Sequence, residues 1–254
     1  MSPDARGTRP LYSWRTLVSR NSPLKFRPKI PGFKSEIADW VSTLLVISEN
    51  VAEALGLLLG DGCISKYWFE GKFNYAVAFT ASGSEFWYYE HFVQPTFLTE
   101  FGVRGSLFLR KDGTTRYHLR GKKLAEALLA LGLPLGKKHD ACIPPAVIQS
   151  NQVVPFIRGL YHAEGSVYRR YSKMYNTMKK VYDNLLVVQV RMKLPTLMEQ
   201  LNEQILKLGI TTNRLVAKDG VYTLRITDQN MIRKFFEIIS PRYKASPKQV
   251  FNPP

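Results

Sequence analysis

Two acidic residues, Asp61 and Glu164, occupy the same place in two copies of one device. The first copy reads Ala54-Leu55-Gly56-Leu57-Leu58-Leu59-Gly60-Asp61-Gly62, and the second reads Ile157-Arg158-Gly159-Leu160-Tyr161-His162-Ala163-Glu164-Gly165. Gly56 answers Gly159, Gly60 answers Ala163 and Asp61 answers Glu164, all at one constant offset. Small residues four apart share one face of a helix, so each copy offers a stripe on which a second backbone can approach closely. If the two helices pack on each other, both carboxylates emerge together at the helix C-termini. Each then sits at the negative pole of its own helix dipole and repels the other. A divalent cation relieves both penalties, and hard oxygen ligands with open positions favour Mg²⁺, completed by water and phosphodiester oxygens.

The elements that must position these acids also come twice. Asn50 with Glu53 has the spacing of a capping box and predicts a first motif helix starting near Val51, stopped by Gly62. A mixed apolar stretch from Ser35 to Ile47 reads as a preceding helix. Strands are expected over Cys63 to Phe69 and Phe73 to Ala81, then a helix over Ser84 to Phe101, bent at Pro95. Strands over Val103 to Arg110 and Thr114 to Arg120 flank Lys111-Asp112-Gly113, and a helix over Lys122 to Leu131 closes the half. The second half repeats the order. Strands are expected over Ser166 to Lys173 and Leu185 to Lys193, then a helix from Pro195 and Thr196 to Leu208, ended by Gly209. Further strands run over Thr211 to Ala217 and Val221 to Thr227, and a last helix capped by Asp228 runs through Ile239. Gly102-Val103 echoes Gly209-Ile210, and Lys111-Asp112-Gly113 echoes Lys218-Asp219-Gly220, again at one offset. The pattern predicts an α+β fold of two pseudo-twofold α-β-β-α-β-β-α units, with two antiparallel sheets around a central pair of motif helices. The implied organisation is a basic arm over 1–34, a first half over 35–133, a linker over 134–150 and a second half over 151–254.

The whole chain has 36 Lys and Arg against 20 Asp and Glu, a formal charge of +16. That balance calls for a polyanion, most simply nucleic acid. No apolar run is long enough to span a bilayer, and no secretory signal is visible, which argues against a membrane partner. Two cysteines without metal-type spacing, Cys63 and Cys142, exclude a disulfide scaffold or zinc site and read as buried thiols. The arm carries eight basic residues and the single acid Asp4. Its prolines favour an extended conformation, either a solvated tail or an arm gripping nucleic acid. An organelle transit peptide is a third, weaker reading.

The strands supply a second constellation. Arg104 and Arg110 alternate with apolar residues along one strand, and Arg116, His118 and Arg120 do so along its partner. In the second half the same holds for Gln189, Arg191 and Lys193, for Arg214 and Lys218, and for Arg225. Period-two alternation with one basic, nearly acid-free face describes sheets packed on one side and open to a polyanion on the other. A two-stranded ribbon fits the major groove, where arginine pairs with guanine and glutamine with adenine.

With these residues in place, the chain resembles the LAGLIDADG homing endonucleases in their single-chain, two-motif form, of the archaeal and organellar intron-encoded kind. Leu55 to Gly62 and Arg158 to Gly165 match the family motif, and the likeness covers about residues 50–240. The resemblance implies two α/β halves that each present a curved antiparallel sheet to double-stranded DNA. It implies a monomeric, site-specific endonuclease that cuts both strands of a long, asymmetric target across the minor groove. The cut would be Mg²⁺-dependent, with Mn²⁺ or Ca²⁺ able to occupy the same sites, would leave short 3′ overhangs and would support intron mobility. Such a protein works inside the cell on DNA, in an archaeal cytoplasm or an organelle. By the same resemblance Asp61 and Glu164 are the metal-binding acids, and the carbonyls of Gly60 and Ala163 are backbone ligands. Lys193 matches the basic residue that helps organise the attacking water. The first half departs from the pattern: Phe79-Thr80-Ala81-Ser82-Gly83-Ser84 has neither a basic residue nor glutamine, which leaves Lys66 as a candidate to compensate.

Other residues receive plainer roles. His162 reads as packing or a supporting contact, and Trp87, Tyr88 and Tyr89 as a core helix face. Two alternatives of another class remain at this level: a non-cleaving maturase that binds intron RNA, and a DNA-binding regulator without cleavage.

Overall fold

The computed structural model describes residues 46–170 and 185–243. The basic arm, nearly all of the helix expected over 35–47, and the outer end of the hairpin after Arg170 lie outside the described residues. The first motif helix, α1, spans Glu49–Asp61. Its N-cap is Ser48, whose hydroxyl accepts the Val51 N–H at 3.2 Å. The expected Asn50 cap is therefore corrected. Glu53 could not close a capping box in any case, because its carboxylate is spent inside the protein.

From α1 the chain enters β1 (Gly62–Phe69) and returns along β2 (Lys72–Ser82). A continuous helical run over 83–101 follows, closing with α2 (Gln94–Phe101). Helix continues through Pro95, and one turn earlier, at Tyr89–Val93, it widens into a π turn. Proline has no N–H to give to the preceding turn, and a π turn is one way to accommodate the missing bond. Gly102 ends α2 in the left-handed region at φ 64, with its own N–H on Leu98 O and that of Val103 on Phe97 O. Gly209 ends the later helix at positive φ too, but with a tighter pattern, its N–H on Leu206 O and that of Ile210 on Ile205 O. The Gly-Val and Gly-Ile echo thus marks two left-handed helix ends of different bonding.

β3 (Ser106–Leu109), β4 (Thr114–Arg120) and α3 (Lys122–Ala130) complete the first unit. The segment expected as a bare linker contains one short helix, α4 (Pro145–Gln149). The second unit follows as α5 (Val153–Glu164), β5 (Gly165–Arg170), β6 (Leu185–Met192), α6 (Pro195–Lys207), β7 (Val216–Lys218), β8 (Val221–Ile226) and α7 (Gln229–Ile239). Asp228 caps α7 as expected, accepting from the N–H groups of Asn230 and Met231. The strand expected from Thr211 is shorter than its pattern suggests. It starts only at Val216; before it the Asn213 N–H still reaches β8 at Arg225 O, but out of register with the Val216–Thr223 pair, and the Thr212 hydroxyl turns to Asn202.

The sheets have identical order, β1-β2-β4-β3 and β5-β6-β8-β7, and are antiparallel throughout. The α+β, duplicated architecture read from the sequence is the one the chain adopts. One apolar core runs through both units, from Leu55, Leu58, Phe79 and Tyr117 to Phe156, Leu160, Val190 and Phe235. No described helix is long and apolar enough to cross a membrane.

Candidate active site and nucleic-acid interface

The helices α1 and α5 form the seam on which the two units meet. A Cβ added to Gly56 would fall on the carbonyl oxygen of Phe156, and one added to Gly159 on that of Glu53. Gly60 lies against the Cβ of Ala163 and within 3.2 Å, measured from an added Cβ, of Glu164 Cγ. Backbone meets backbone at Gly56 and Gly159, and Gly60 meets the Ala163 methyl, so the helix ends that carry Asp61 and Glu164 lie next to each other. Gly62 and Gly165 then turn both chains into strands. Gly62 stops its helix as expected, and both backbones are extended there, at φ −98 and −82. Glycine is required there for space: a side chain would collide with Leu58 at one position and with the Tyr161 ring at the other.

Beside the seam opens a groove of about 460 Å³, lined by Gly60, Glu164, Lys138, Arg191 and Lys193 among others. Lys193 and Glu164 both line it. Arg191, expected to read bases, opens into the same groove. Lys138 carries no sequence expectation at all. Its ammonium donates to the carbonyls of Leu59 at 2.8 Å and Gly60 at 2.7 Å, where it neutralises the negative end of α1. Burial pushes its pKa below the usual lysine range, against the opposing pull of Cys63, Glu164 and Asp61 nearby. Only its place in a Gly-Lys-Lys run ahead of the second motif marks it in the sequence, and a basic pair in a linker is ordinarily solvated.

The two halves differ here. Gly165 pairs with Val190 as Gly62 pairs with Phe79, so Gln189, Arg191 and Lys193 correspond to Ala78, Thr80 and Ser82. Lys66 does not fill the gap. Its ammonium lies 4.2 Å over the Phe73 ring, far out along the hairpin, so that expectation is corrected.

Among the described residues no three His, Cys, Asp or Glu side chains cluster as a metal cage. The carboxylates of Asp61 and Glu164 are hard oxygen donors of the kind that suit a divalent ion with open positions for water and phosphate, whereas the Gly60 carbonyl expected beside them accepts from the Lys138 ammonium at 2.7 Å.

Each sheet turns one face to the core and one outward. In the first, Arg116, His118 and Arg120 share the outward face, while Tyr117 and Leu119 are buried beneath them. Arg104 stands exposed in the loop before β3, and Arg110 just beyond it ion-pairs with Asp112 at 3.5 Å. Burial, then the charges of Arg120 and Arg116, holds the His118 pKa below its usual value, which favours a neutral ring. In the second sheet Gln189 and Arg225 are directly paired, with Arg225 Nε 3.4 Å from Gln189 Oε1. Lys218 ends β7 on the same face, and Arg214 is exposed in the loop that leads to it.

The remaining expectations divide. His162 is buried, and its Nε2 accepts the Arg242 N–H at 3.1 Å, a supporting contact as read. Tyr88 and Tyr89 are core, whereas Trp87 is exposed. Cys63 is also exposed, on the outward face of β1 opposite Ile64, and Cys142 is half-buried, so neither is the buried thiol expected.

Residues 151–240 match the family described as the LAGLIDADG-like domain. No curated protein matches the chain by sequence. Among solved structures, mesophilic variants of the homing endonuclease I-DmoI superpose with a TM-score of 0.53 at 22% identity, over 78% of this chain and 97% of theirs. I-DmoI in complex with DNA and Ca gives a TM-score of 0.54 at 21% identity, covering 80% and 95%. The LAGLIDADG meganuclease I-AabMI bound to uncleaved DNA gives 0.53 at 14% identity, covering 80% and 86%. The second half of this chain thus resembles the LAGLIDADG-like domain, and the described body shares the fold of these meganucleases.

Proposed function

We propose that this protein is a site-specific, divalent-metal-dependent DNA endonuclease that hydrolyses both strands of a long, asymmetric duplex. The observation that carries the reading is the seam. Two acids leave adjacent helix ends beside a groove holding Lys138, Arg191 and Lys193, and each unit turns a basic sheet face outward. I-DmoI, of the same fold, has been solved with DNA together with Mn or Ca, and a variant with Mg.

Asp61, Glu164 and the carbonyls of Gly60 and Ala163 would hold Mg²⁺, which when bound supplies Lewis acidity toward water and the phosphodiester. Lys193 and Arg191 place fixed positive charge where a pentavalent phosphorane gathers negative charge, and fixed charge of this kind is effective because it need not reorganise. Lys138, whose ammonium occupies the Gly60 carbonyl, would have to turn aside for that oxygen to join the ion. The outward arginines and lysines bind phosphates and give affinity that falls steeply with salt. Gln189 and Arg225, paired across neighbouring strands, are suited to read base edges. We further propose a monomer acting on DNA in the cell, short 3′ overhangs and a role in intron mobility. The missing cation at Ala78, Thr80 and Ser82 makes the centre served by Lys193 the faster one, so one strand is cut first.

The test is a duplex library with randomised sequence, each strand carrying its own label, incubated with protein and Mg²⁺. Wild type yields a cut subset with one strand nicked ahead of the other. Asp61→Asn with Glu164→Gln binds that subset without cutting it. Cleavage by the double variant at ordinary Mg²⁺ overturns the assignment, and a wild type that binds without cutting turns it into a regulator.

A further inference from the structure

The outer end of the first sheet is unlike the rest of its open face. Along that face β4 offers Arg116, His118 and Arg120, and the far strand β3 a single exposed ring, Phe108 opposite Arg116, whereas at the tip of the β1–β2 hairpin two exposed rings stand together on one strand. Tyr67 is 39% exposed and Phe69 58%. Tyr67 pairs with Asn74 and Phe69 with Lys72, in continuous register with Ala76 and Arg120 further in. The rings therefore lie on the same surface as the basic residues and extend it outward.

The tip is also braced. Glu70 and Gly71 make the two-residue turn at positive φ. The Asn74 amide ties across it, donating to the carbonyls of Phe69 and Lys72. On the reverse face Trp68 and Phe73 meet edge-on at 4.8 Å, and Lys66 sits on Phe73. Exposed rings held this firmly are an interaction surface rather than a frayed loop, and a rigid platform loses little entropy on binding. A groove of about 480 Å³ runs beside them, lined with Lys72, Arg120 and Lys122, with Glu70 as its one acid. The occupant that suits apolar rings flanked by cations, on a surface already turned to duplex DNA, is the outer part of the same duplex.

In the major groove only thymine shows an apolar group, its C5 methyl. We propose that Tyr67 and Phe69 read thymine methyls at the outer end of the target's first half-site, with Lys72, Arg120 and Lys122 on the adjoining phosphates. This rests on the DNA-binding reading above and adds a specificity element of a different chemistry. The inner positions are read through hydrogen bonds, the outer ones through apolar contact.

Deoxyuridine tests this directly, because it removes the methyl and leaves every hydrogen-bonding group. The probe is the duplex recovered by binding selection from the randomised library, scanned one thymine at a time. Thymine is expected to be enriched at the outer end. Each substitution there should weaken wild-type binding about fourfold, the worth of one apolar carbon removed from water. Substitution elsewhere should have little effect. Tyr67→Ser with Phe69→Ser, both at exposed sites, should lose the deoxyuridine response at the outer end while inner mismatches still weaken binding. No thymine enrichment, no deoxyuridine response, or a response that survives in the double variant overturns the proposal while leaving the nuclease reading intact. Failure to select any duplex overturns both.

Discussion

Replacing Glu53 with alanine should be among the most damaging single changes in the chain, although Glu53 lies far from the acids. It sits on α1 eight residues before Asp61, roughly 12 Å along the helix, and is fully buried. Its Oε1 accepts the Tyr88 hydroxyl at 2.9 Å, and its Oε2 accepts Arg158 NH1 at 3.0 Å from the opposite motif helix. Arg242 Nε reaches both oxygens, at 3.1 and 2.9 Å, from the segment after α7. Arg158 in turn donates through Nε to the Ile239 carbonyl and through NH1 to Glu49, each at 2.6 Å. Burial opposes the charge on Arg158, yet its bonds to Glu49 and Glu53 hold its pKa above the ordinary guanidinium value. Glu49 is held below the usual carboxylate range by the same bond.

Removing Glu53 therefore strands a guanidinium in a dry seam. Arg242, more open to water, can resolvate, but Arg158 cannot, and it keeps only the neutral Ile239 carbonyl and Glu49, which is half in solvent. Breaking a buried ion pair from one side costs about 3–5 kcal/mol, a large share of the 5–15 kcal/mol that holds a typical domain together. At about 2–4 °C per kcal/mol for a body of this size, Glu53→Ala should melt roughly 6–20 °C lower. Glu53→Leu combined with Arg158→Met removes both charges and fills the space. It should recover most of the loss, because desolvating a paired charge consumes most of what the pair returns. Urea unfolding of wild type, both single variants and the pair closes a double-mutant cycle. If Glu53→Ala costs less than about 1 kcal/mol, or if the paired change costs the sum of the single ones, the network is not what joins the helices.

Two further outcomes follow from the same geometry. Gly159→Ala puts a methyl group on the Glu53 carbonyl across the seam. The overpacking should cost about 1–3 kcal/mol, outweighing the gain of up to ~1 kcal/mol in helix propensity, and a urea midpoint above wild type would refute the close approach. Burial pushes the Tyr117 pKa up to about 12, against about 10 in an unfolded chain. From pH 10 upward only the unfolded form releases that proton. This contribution to stability is therefore complete below pH 10 and lost between 10 and about 12, read from tyrosinate absorbance alongside unfolding.

Periodicity made the strands and the outward face legible. Tyr117 and Leu119 alternate with Arg116, His118 and Arg120 in the sequence as they do across the sheet, and Asp228 caps its helix on type alone. The motif helices were legible for a different reason, since small residues at one spacing in two copies can serve few other purposes. The readings failed wherever a side chain's partner is distant in sequence. Asn50 looked like a cap because nothing local shows that Glu53 is taken by Arg158 and Arg242, more than a hundred residues away. Lys138 was invisible because its acceptors are carbonyls, which every residue has. Lys66 was misplaced because strand length decides how far from the seam a side chain lands.

The Lys138 contact also bears on how the seam tolerates its own acids. Glycines let α1 and α5 approach until backbone touches backbone, and that closeness sets Asp61 and Glu164 at two converging negative helix ends. Unbalanced, the arrangement would push the helices apart. At the acidic end, the ammonium of Lys138 rests on the last carbonyls of α1 and within the field of both acids. At the other end, Arg158 and Arg242 bind the first helix to the second through Glu53. Positive charge thus restrains the seam at both ends, while the apolar stripe between them supplies the packing. A divalent ion at the acids would add to this balance without being needed to create it.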